Sequence, residues 1–481
     1  MSDIKTVRTS ATRGLVEGRP KPGRVFDWLP SSALIALCLF ASFARAQQSL
    51  PATNVFTSQP LSLADTINIA LQQNPHIVRA QKDVEAAQGV VVQTRAVAYP
   101  KLQAAGSYSG VQSTDVDTPR AAIANFSFGA EQAWASQIRV VQSLYQGGRI
   151  LSSLRVAKLT RERSLLMYQT AVADTVLEVQ LAYYDVLLAA QEIIVQEKSV
   201  ELLGSELADT KRRYDAGTVP QFNVLRAQVE LANQQPKLIR ARNSFRIGKN
   251  VLANVLGFNI PKDTVEDIPL NLSDKLEAEP YRVDLPRAIA LALDRRTELG
   301  SLRKAQALRF EDIVNAKSGY KPSLQAYGGY EARSSMFTSD LSFEVHGWMA
   351  GVQLTWDLFD GFRTKGKVME ATALYERAGA ELDDTGRRIE LEVRTAFSRF
   401  VEANELLDSQ KKVVEQAEEA LRLATARSDA GTGTQLDVLS ARTALTDAQT
   451  TQIEALHGYS TARARLERAV GLNVPCQNAP R

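Results

Sequence analysis

Apolar residues recur every three or four positions along two long stretches of the chain, residues 149–214 and 363–428. In the first stretch they include Leu177, Leu181, Tyr184 and Leu188. This spacing places side chains on one face of an α-helix, and neither stretch contains proline. At a rise of about 1.5 Å per residue, each stretch of 66 residues would form a helix roughly 100 Å long. The pattern therefore predicts two helices several times longer than those of ordinary globular proteins.

A period of two residues marks the segment before each long helix. Apolar or small residues alternate with polar or small neighbours at Leu102, Ala104, Gly106 and Tyr108, and again at Leu324, Ala326, Gly328 and Tyr330. Such alternation predicts β-strands, and we expect returning strands at residues 138–145 and 350–359. A tilted strand crosses a membrane in about 9–11 residues. The predicted strands are therefore about long enough to span a bilayer.

Shorter helices are predicted on both sides of this hairpin and long helix. In the first half they occupy residues 62–98 and 220–256, with 37 residues each. Placed end to end, the two would match one long helix, which predicts an unbroken helix beside a spliced one. Gly257 and Gly471 are positioned to end the second short helix of each half. Pro236 is expected to bend or break its helix because proline lacks an N–H and clashes with the preceding turn.

The chain contains this arrangement twice. Residues 63–71 and 100–108 reappear 222 positions later, whereas residues 144–149, 215–218 and 257–261 reappear 214 positions later. One duplication with a single change of eight residues between Tyr108 and Leu144 explains both offsets, and marks a surface loop there. We therefore predict a first repeat at 47–260, a linker at 261–284, a second repeat at 285–472 and a tail at 473–481.

Residues 1–46 have the pattern of a signal peptide. A basic segment precedes an apolar run at 33–43 and the small-residue site at 44–46. Cleavage would leave Gln47 first, and no later stretch has the 18 or so apolar residues of a membrane-spanning helix. Lipid attachment at Cys38 is the weaker interpretation, because Leu37 is bulky where lipidation signals have a small residue.

Charge and cysteine content narrow the function. The chain has 57 basic and 54 acidic side chains, and removal of the leader, with its 7 basic and 3 acidic residues, leaves a net charge of about −1. No nucleic-acid partner is therefore expected. Cys476 would be the one cysteine of the mature chain, so it has no intrachain disulfide partner.

The sequence offers little for an enzyme. His76, His346 and His457 are far apart, and none has a metal-ligand partner three or four residues away. The chain also lacks a Gly-x-Ser-x-Gly motif and a phosphate-binding glycine loop. We predict no catalytic residues, no metal site and no cofactor.

Four membrane-length strands cannot close a barrel alone, and in lipid each backbone polar group must find a partner within protein. The chain is therefore expected to oligomerise. Three copies would supply twelve strands, an allowed number for an outer-membrane barrel. Aromatic residues that would lie near the two membrane interfaces are Tyr108, Tyr145, Trp348 and Trp356.

In combination, these features resemble the TolC-like outer-membrane efflux and type I secretion family. The motifs that carry the resemblance are Leu-Tyr-Gln-Gly-Gly-Arg at 144–149, Leu-Phe-Asp-Gly-Phe-Arg at 358–363 and the Asp-Ala-Gly-Thr turns at 215–218 and 429–432. The resemblance implies an α+β membrane protein, a homotrimer with a shared 12-stranded barrel in outer-membrane lipid and an α-helical barrel that extends into the periplasm. It also implies a belt to which the linker contributes, although the linker's composition fits a plain loop equally well.

The family resemblance also implies partners and a gate. Its periplasmic tips meet a periplasmic adaptor, or membrane fusion protein, and an inner-membrane transporter of RND, ABC or MFS type. The adaptor-docking candidates are Ala216, Gly217 and Thr218 at one turn and Ala430, Gly431 and Thr432 at the other. Glycine permits the positive φ that such a reversal requires, although any antiparallel helix pair needs a turn.

At the gate, the family has a run resembling Gly-Thr-Arg-Thr-x-x-Asp-Val-Leu-Asp. Asp437 matches the first carboxylate, Ser440 replaces the second, and Gly433 replaces the arginine. The first repeat has Asn223 at the position of Asp437. Asp437 and Ser440 are therefore the predicted constriction, with an ordinary solvated helix aspartate as the alternative for Asp437. A ring of carboxylates favours cations.

A periplasmic coiled-coil scaffold without channel activity is the alternative function. The long helices alone would support it, but it does not explain alternating segments at matched positions in both halves. The sequence does not determine the cargo, which is drugs, a secreted protein or both, nor the energy source.

Overall fold

The computed structural model describes residues 60–110, 132–258, 268–334, 340–342 and 344–472. The first half contains α1 (Leu63–Gln73), α2 (Pro75–Arg95), β1 (Lys101–Gly110), β2 (Gln132–Gln146), α3 (Arg149–Asp215) and α4 (Gln221–Leu256). The second contains α5 (Leu285–Arg295), α6 (Thr297–Lys317), β3 (Ser323–Ser334), β4 (Glu344–Thr355), α7 (Arg363–Asp429) and α8 (Gln435–Val470). The predicted α+β class is confirmed. The predicted leader at 1–46 and tail at 473–481 lie outside the described residues.

The two long helices are confirmed, with 67 residues each in α3 and α7. Both begin after a residue in the left-handed conformation, Gly148 (φ 98°) before α3 and Phe362 (φ 65°) before α7. Side chains of α3 are buried at intervals along much of its length because helices pack on both of its sides. None of the described helices is both long and apolar enough to cross a bilayer.

The helices form a layer in the order α4 and α2, then α3, then α8 and α6, then α7. The half of α3 that leads to the first turn packs against α4 and α8, and the half near the strands packs against α2 and α6. In the second repeat, α7 packs in the same way against α8 and α6. The outer flanks of α2, α4 and α7 face no other helix of the described layer.

Each return helix meets the second short helix of its own repeat end to end, as the spliced-helix prediction requires: α4 meets α2, and α8 meets α6. α4 ends at Gly257 (φ 79°), where a Cβ would lie 2.5 Å from the carbonyl oxygen of Gln73. Asn74 is buried at this junction and donates from Nδ2 to the carbonyl oxygen of Val255 at 2.6 Å. Glycine is required here by both its backbone conformation and the close approach of α1.

The single helix predicted at residues 62–98 is wrong, because α1 and α2 are separate helices. Asn74 has an extended backbone conformation (ψ 126°) and accepts a hydrogen bond from the N–H of His76, which caps α2. Pro75 occupies the first helical position, where its missing N–H costs no helical hydrogen bond. The Asn-Pro pair therefore starts a new helix in the middle of an apolar pattern that continues across it.

In the second repeat, Arg296 takes the place of Asn74 and donates from Nη1 to the carbonyl oxygen of Ala469 at 3.2 Å. Arg296 also forms ion pairs with Glu298 at 3.0 Å and with Glu392 at 3.1 Å. The junction therefore has the same backbone contact as its counterpart in the first repeat, with added charge pairs.

Arg468 extends this network to the first repeat. It contacts Glu298 at 2.6 Å and Asp174 of α3 at 2.5 Å. Burial alone would raise the pKa of Glu298, but the hydrogen bond and charge of Arg468 and the charge of Arg296 bring that pKa below its ordinary value. The charged pairs thus stabilise the contact between the two repeats at neutral pH, and this contribution is lost as pH falls through the lowered pKa.

The four strands form one antiparallel sheet in the order β1-β2-β3-β4. The strand limits predicted from the sequence need correction, because β2 starts at Gln132 and β4 spans Glu344–Thr355, four residues short of Phe359. Trp356 follows β4 and donates from Nε1 to the carbonyl oxygen of Tyr320. Within the described residues, β1 and β4 each pair on one side only, so the sheet has two open edges.

The two faces of the sheet differ in polarity. The register places on one face Leu102, Tyr108, Ile138, Val140, Tyr330, Trp348 and Val352. These side chains are solvent-exposed in a single chain, with Trp348 86% exposed. The opposite face carries polar residues, including Arg139, which donates to Gln103 at 3.3 Å. One face therefore suits an apolar environment and the other suits water.

The described part of the linker packs on one face of the helical layer. Leu272 forms a parallel bridge with Leu61, and Ile268, Leu270 and Leu276 are buried against α3 and α4. Tyr281 stacks edge-on against Phe400 of α7. The linker thus contacts helices of both repeats.

Pro236 was predicted to bend or break its helix, and the break does not occur, because α4 continues through this residue. The carbonyl group that would have paired with the missing N–H belongs to Ala232, an exposed residue. Water can therefore satisfy that carbonyl group, and the neighbouring α3 holds the helix together through contacts on both sides of Pro236, including Gln234 with Gln196 and Arg242 with Glu197.

Candidate gate and docking tips

The two helix-to-helix turns have the same local geometry. Gly217 (φ 76°) and Gly431 (φ 72°) have the positive φ expected from the sequence. Thr218 donates both its backbone N–H and its hydroxyl to the carbonyl oxygen of Arg213, at 2.9 and 2.7 Å. Thr432 does the same to Arg427, at 2.9 and 3.2 Å. Each threonine therefore satisfies a carbonyl group that the end of the long helix leaves open.

The structure brings the predicted docking residues together at these turns. All six are exposed: Ala216, Gly217, Thr218, Ala430, Gly431 and Thr432. A Cβ added to either turn glycine would meet no heavy atom of this chain within 4 Å. The tips are thus small, open surfaces that another helix could approach closely.

The two return helices start differently. α8 begins with a capping box, in which Asp437 donates its N–H to Thr434 Oγ1 at 3.2 Å and accepts from the Thr434 N–H at 3.0 Å. α4 has Pro220 at the same position, without a side-chain cap. Asn223, the counterpart of Asp437, lines a cleft of about 260 Å³ together with Glu206. Of the two return helices, only α8 therefore carries a capped carboxylate in its first turn.

Asp437 is exposed, and its surroundings favour the ionised carboxylate. Hydrogen bonds from the backbone N–H and the hydroxyl of Thr434, with the nearby charge of Arg427, hold the pKa of Asp437 below its ordinary value. Because the folded-state pKa is lowered, the cap stabilises the tip above the unfolded-state pKa and is lost as pH falls through the folded-state pKa. The carboxylate is therefore ionised at neutral pH.

Ser440 lies one turn further along α8, exposed, and donates to the backbone carbonyl of Asp437 at 3.1 Å. Gly433 packs against the end of α7, where a Cβ would lie 2.9 Å from the Cβ of Arg427. The arginine that the family pattern has at this position would therefore not fit in the turn as folded here.

Sequence reasoning missed a cluster that joins the two hairpins near the tips. Arg442 of α8 contacts Glu206 of α3 at 3.3 Å, and their side chains are only 18% and 20% exposed. Arg442 also donates to the carbonyl oxygen of Leu202 at 3.2 Å. Gln435 donates to Glu206 at 3.1 Å and to the hydroxyl of Thr210. We call Glu206, Thr210, Gln435 and Arg442 the tip cluster.

One signal in the sequence could have found its charged pair. Glu206 lies eleven residues before Gly217, and Arg442 lies eleven residues after Gly431. In antiparallel hairpins that lie side by side, equal distances from the two turns place residues at the same height. Opposite charges at equal distances are therefore candidates for a contact between hairpins.

No group of three or more His, Cys, Asp or Glu side chains within the described ranges is arranged to hold a metal ion. His457 contacts Asp185 at 2.7 Å between α8 and α3, and His346 lies on β4 beside the ring of Tyr330. These two histidines therefore have separate local partners.

The chain matches the family model described as "Outer membrane efflux protein" over residues 66–258 and 288–472. These ranges include both long helices, the four strands and both tips. The match therefore covers nearly all of both repeats.

Individual relatives are distant but nearly full-length. The chain is 24% identical to the outer membrane protein TolC of Vibrio cholerae, over 85% of this chain and 90% of that protein. It is 25% identical to the alkaline protease secretion protein AprF of Pseudomonas aeruginosa, over 86% and 85%. The solved structure of the Campylobacter jejuni CmeC outer membrane channel superimposes with a TM-score of 0.71 at 16% identity, covering 86% of each chain. The last comparison establishes a shared fold.

Replacing Arg442 with methionine is expected to loosen the contact between α3 and α8, because a mostly buried Glu206 loses its charged partner. Such a loss costs about 1–3 kcal/mol. Amide hydrogen exchange in the first turns of α8 is expected to accelerate about tenfold or more. The control is Arg422→Met on α7, whose pair with Glu419 is exposed and contributes little. Unchanged exchange in Arg442→Met would contradict a stabilising role of the tip cluster.

Proposed function

The chain belongs to the outer membrane efflux protein family, and on this premise we propose that its gate lies at the tips of the α3–α4 and α7–α8 hairpins. The chain is an outer-membrane exit duct, a transport conduit for efflux and secretion machines. The observation that carries the exit-duct function is a four-stranded sheet with one apolar face and two open edges, joined to helices of 67 residues.

Assembly completes the sheet. Open strand edges leave backbone N–H and C=O groups unpaired, which is not tolerated in contact with hydrocarbon. Three sheets joined edge to edge would give one barrel of twelve strands with no edges, of the kind found in outer membranes. Trp348 and its neighbours on the apolar face would then contact lipid, and Arg139 and Gln103 would line the lumen.

The two flanks of the helical layer also need a covering partner, because they expose apolar side chains. Large apolar side chains exposed on α2 and α4 include Val78, Val92, Phe222, Val229, Ile239 and Val251; those on α7 include Met369, Val401 and Leu423. Exposed apolar side chains repeated along both flanks are typical of an interaction surface. We infer that α7 of one protomer covers α2 and α4 of the next, which closes a tunnel of helices around the axis.

The resting gate combines a ring of Asp437 carboxylates with the tip cluster inside each protomer. Three copies of Asp437 would place three carboxylates around the axis, with Ser440 one turn above, and a ring of carboxylates attracts cations. The tip cluster would hold α8 against α3 in the closed state. Opening then requires the Glu206–Arg442 contact to lengthen or break as partners pull the hairpins apart.

Channels of this family are trimers that work with an adaptor and an inner-membrane pump component. We propose that the adaptor docks at the two tips, since their small exposed residues allow close approach of another helical hairpin. The inner-membrane transporter, of RND, ABC or MFS type, would supply both the energy and the choice of cargo. The names of relatives include protease secretion, which makes a secreted protein one candidate cargo beside small molecules.

The rival interpretation, a periplasmic scaffold without channel activity, accounts for the helices and not for the sheet. A water-soluble scaffold would gain nothing from a sheet face on which Trp348 and Val352 are exposed. The channel function explains that face by contact with lipid.

Conductance in planar bilayers tests the gate. Replacing Asp437 with alanine removes three carboxylates from the proposed ring, so the preference for cations over anions is expected to fall by about threefold or more. Block by multivalent cations should weaken in parallel. Asp408→Ala, which removes an exposed carboxylate of α7 paired with Lys411, is the control. Identical selectivity and block in the wild type and Asp437→Ala would refute the gate assignment, and absence of any wild-type conductance would favour the scaffold.

Cysteine cross-linking tests the docking tips. In a Cys476→Ser background, a photoactivatable thiol reagent at Thr218→Cys or Thr432→Cys is expected to capture a periplasmic adaptor in intact cells. Thr451→Cys, an exposed site on α8 about 28 Å from the tip, should not. Equal capture from Thr451→Cys, or capture from neither tip, would place the adaptor elsewhere.

A further inference from the structure

A groove of about 650 Å³ lies between α3, α7 and α8, on the face of the helical layer opposite the linker. α8 forms its floor with Thr461, Ala462 and Arg465. Its residues Tyr459 and Arg463 instead border the linker cleft. Residues two apart on a helix point about 200° away from each other. The groove is thus separated from the linker by the thickness of α8.

The lining of the groove combines apolar and charged side chains. The apolar side chains are Leu177 of α3, Leu391, Ala396, Ala403 and Leu406 of α7, and Ala462 and Ala469 of α8. The charged side chains are Arg388, Glu392, Arg399, Glu402, Arg465 and Arg468. The composition suits a ligand with both an apolar body and a charged group.

Three of these charges are already paired within the chain. Arg468 binds Asp174 and Glu298, and Glu392 binds Arg296. Arg388 contacts Asp384 on its own helix. These groups therefore contribute little net charge to the groove.

Two guanidinium groups remain. Arg399 and Arg465 are exposed, and neither forms an ion pair with any described residue. One carboxylate of the lining, Glu402, is likewise without an ion pair within the described ranges. The groove therefore carries a net positive charge, from two groups on facing helices α7 and α8.

We propose that this groove is a transit subsite for amphipathic organic anions. The apolar body lies on Leu177 and Ala462, and a carboxylate or sulfonate lies between Arg399 and Arg465. Guanidinium groups match the geometry of such oxyanions and bind them through paired, charge-assisted hydrogen bonds. The proposal rests on the proposed function, because only a conduit brings cargo past this face.

The position and charge of the subsite suit it to favour anions that have passed the gate. In the proposed assembly the groove faces the lumen, and three copies form a basic zone well above the acidic ring of Asp437. An anion that has passed the carboxylates of the gate then meets a region that favours it. Weak, repeated sites of this kind allow passage, since conduction needs binding that is loose enough to release.

Equilibrium dialysis of the full trimer in lipid nanodiscs tests the proposal. The probes are 2-naphthalenesulfonate and (2-naphthylmethyl)ammonium, which share an apolar body and differ in charge, and empty nanodiscs supply the background. The wild type is expected to bind about one sulfonate per chain and to prefer it over the ammonium by about tenfold or more. Arg399→Gln/Arg465→Gln should weaken sulfonate binding by about tenfold for each arginine removed.

A matched double variant removes the same charge outside the groove. Arg377→Gln/Arg394→Gln lies on the same helix, and Arg394 pairs with Glu390 away from the groove. Its sulfonate affinity should equal that of the wild type. Equal losses in both double variants, equal affinity for the two probes, or wild-type binding no higher than background would overturn the proposal.

A variant predicted to bind the sulfonate more tightly keeps the test valid even if the arginine double variant misfolds. Glu402→Gln removes the unpaired carboxylate, so sulfonate binding should become about twofold to threefold tighter. Unchanged or weaker binding would contradict the proposal. Planar-bilayer conductance of the same proteins separates the two hypotheses. A wild type that conducts but binds no sulfonate contradicts the subsite alone, whereas a non-conducting wild type contradicts the channel itself.

Discussion

Unpaired backbone groups at the two edges of the sheet are the constraint on which the rest of the structure depends. β1 and β4 each have one hydrogen-bonded neighbour within the described chain. On the apolar face, Trp348, Val352 and Ile138 are exposed and suited to hydrocarbon. In hydrocarbon each unpaired N–H or C=O costs several kcal/mol. A single chain therefore cannot place this sheet in a membrane, and its edges must be completed by copies of itself.

The long helices also need packing partners, and these come largely from within the chain. A 67-residue helix needs neighbours along its whole length, and one return helix of 36 residues covers about half of it. The short helices α2 and α6 cover the remainder. Gly257 and Gly471 allow the helices to abut, and Asn74 and Arg296 bridge equivalent junctions with different side chains. The duplicated halves thus retain one backbone contact while the second acquires charge pairs to Asp174 of the first. Nearer the tips, the Nε of Arg442 is buried without a hydrogen-bond partner among the described residues.

Local features of this fold could be predicted from the sequence, whereas contacts between distant segments leave no local pattern. Periodicity located α3 and α7 to within one residue, and the turn glycines 217 and 431 have the predicted positive φ. The break at Asn74 was missed because apolar spacing continues across it, although the Asn-Pro pair is itself a helix-start signal. The motif predicted Asp437 as a gate residue, whereas its cap with Thr434 depends on where α8 begins. The Glu206–Arg442 contact joins residues of different repeats, so no local pattern contains it.

Disulfide trapping between strand edges tests the central claim most directly. Gln103→Cys in β1 would be combined, in a Cys476→Ser background, with one cysteine in β4 placed in turn at Val345, Gly347, Met349, Gly351 and Gln353. If β1 of one protomer pairs with β4 of the next in a closed ring of three, at least one combination gives covalent dimers and trimers and nothing larger. Bonds within a single chain, ladders beyond three chains, or no bond at any position would contradict the account.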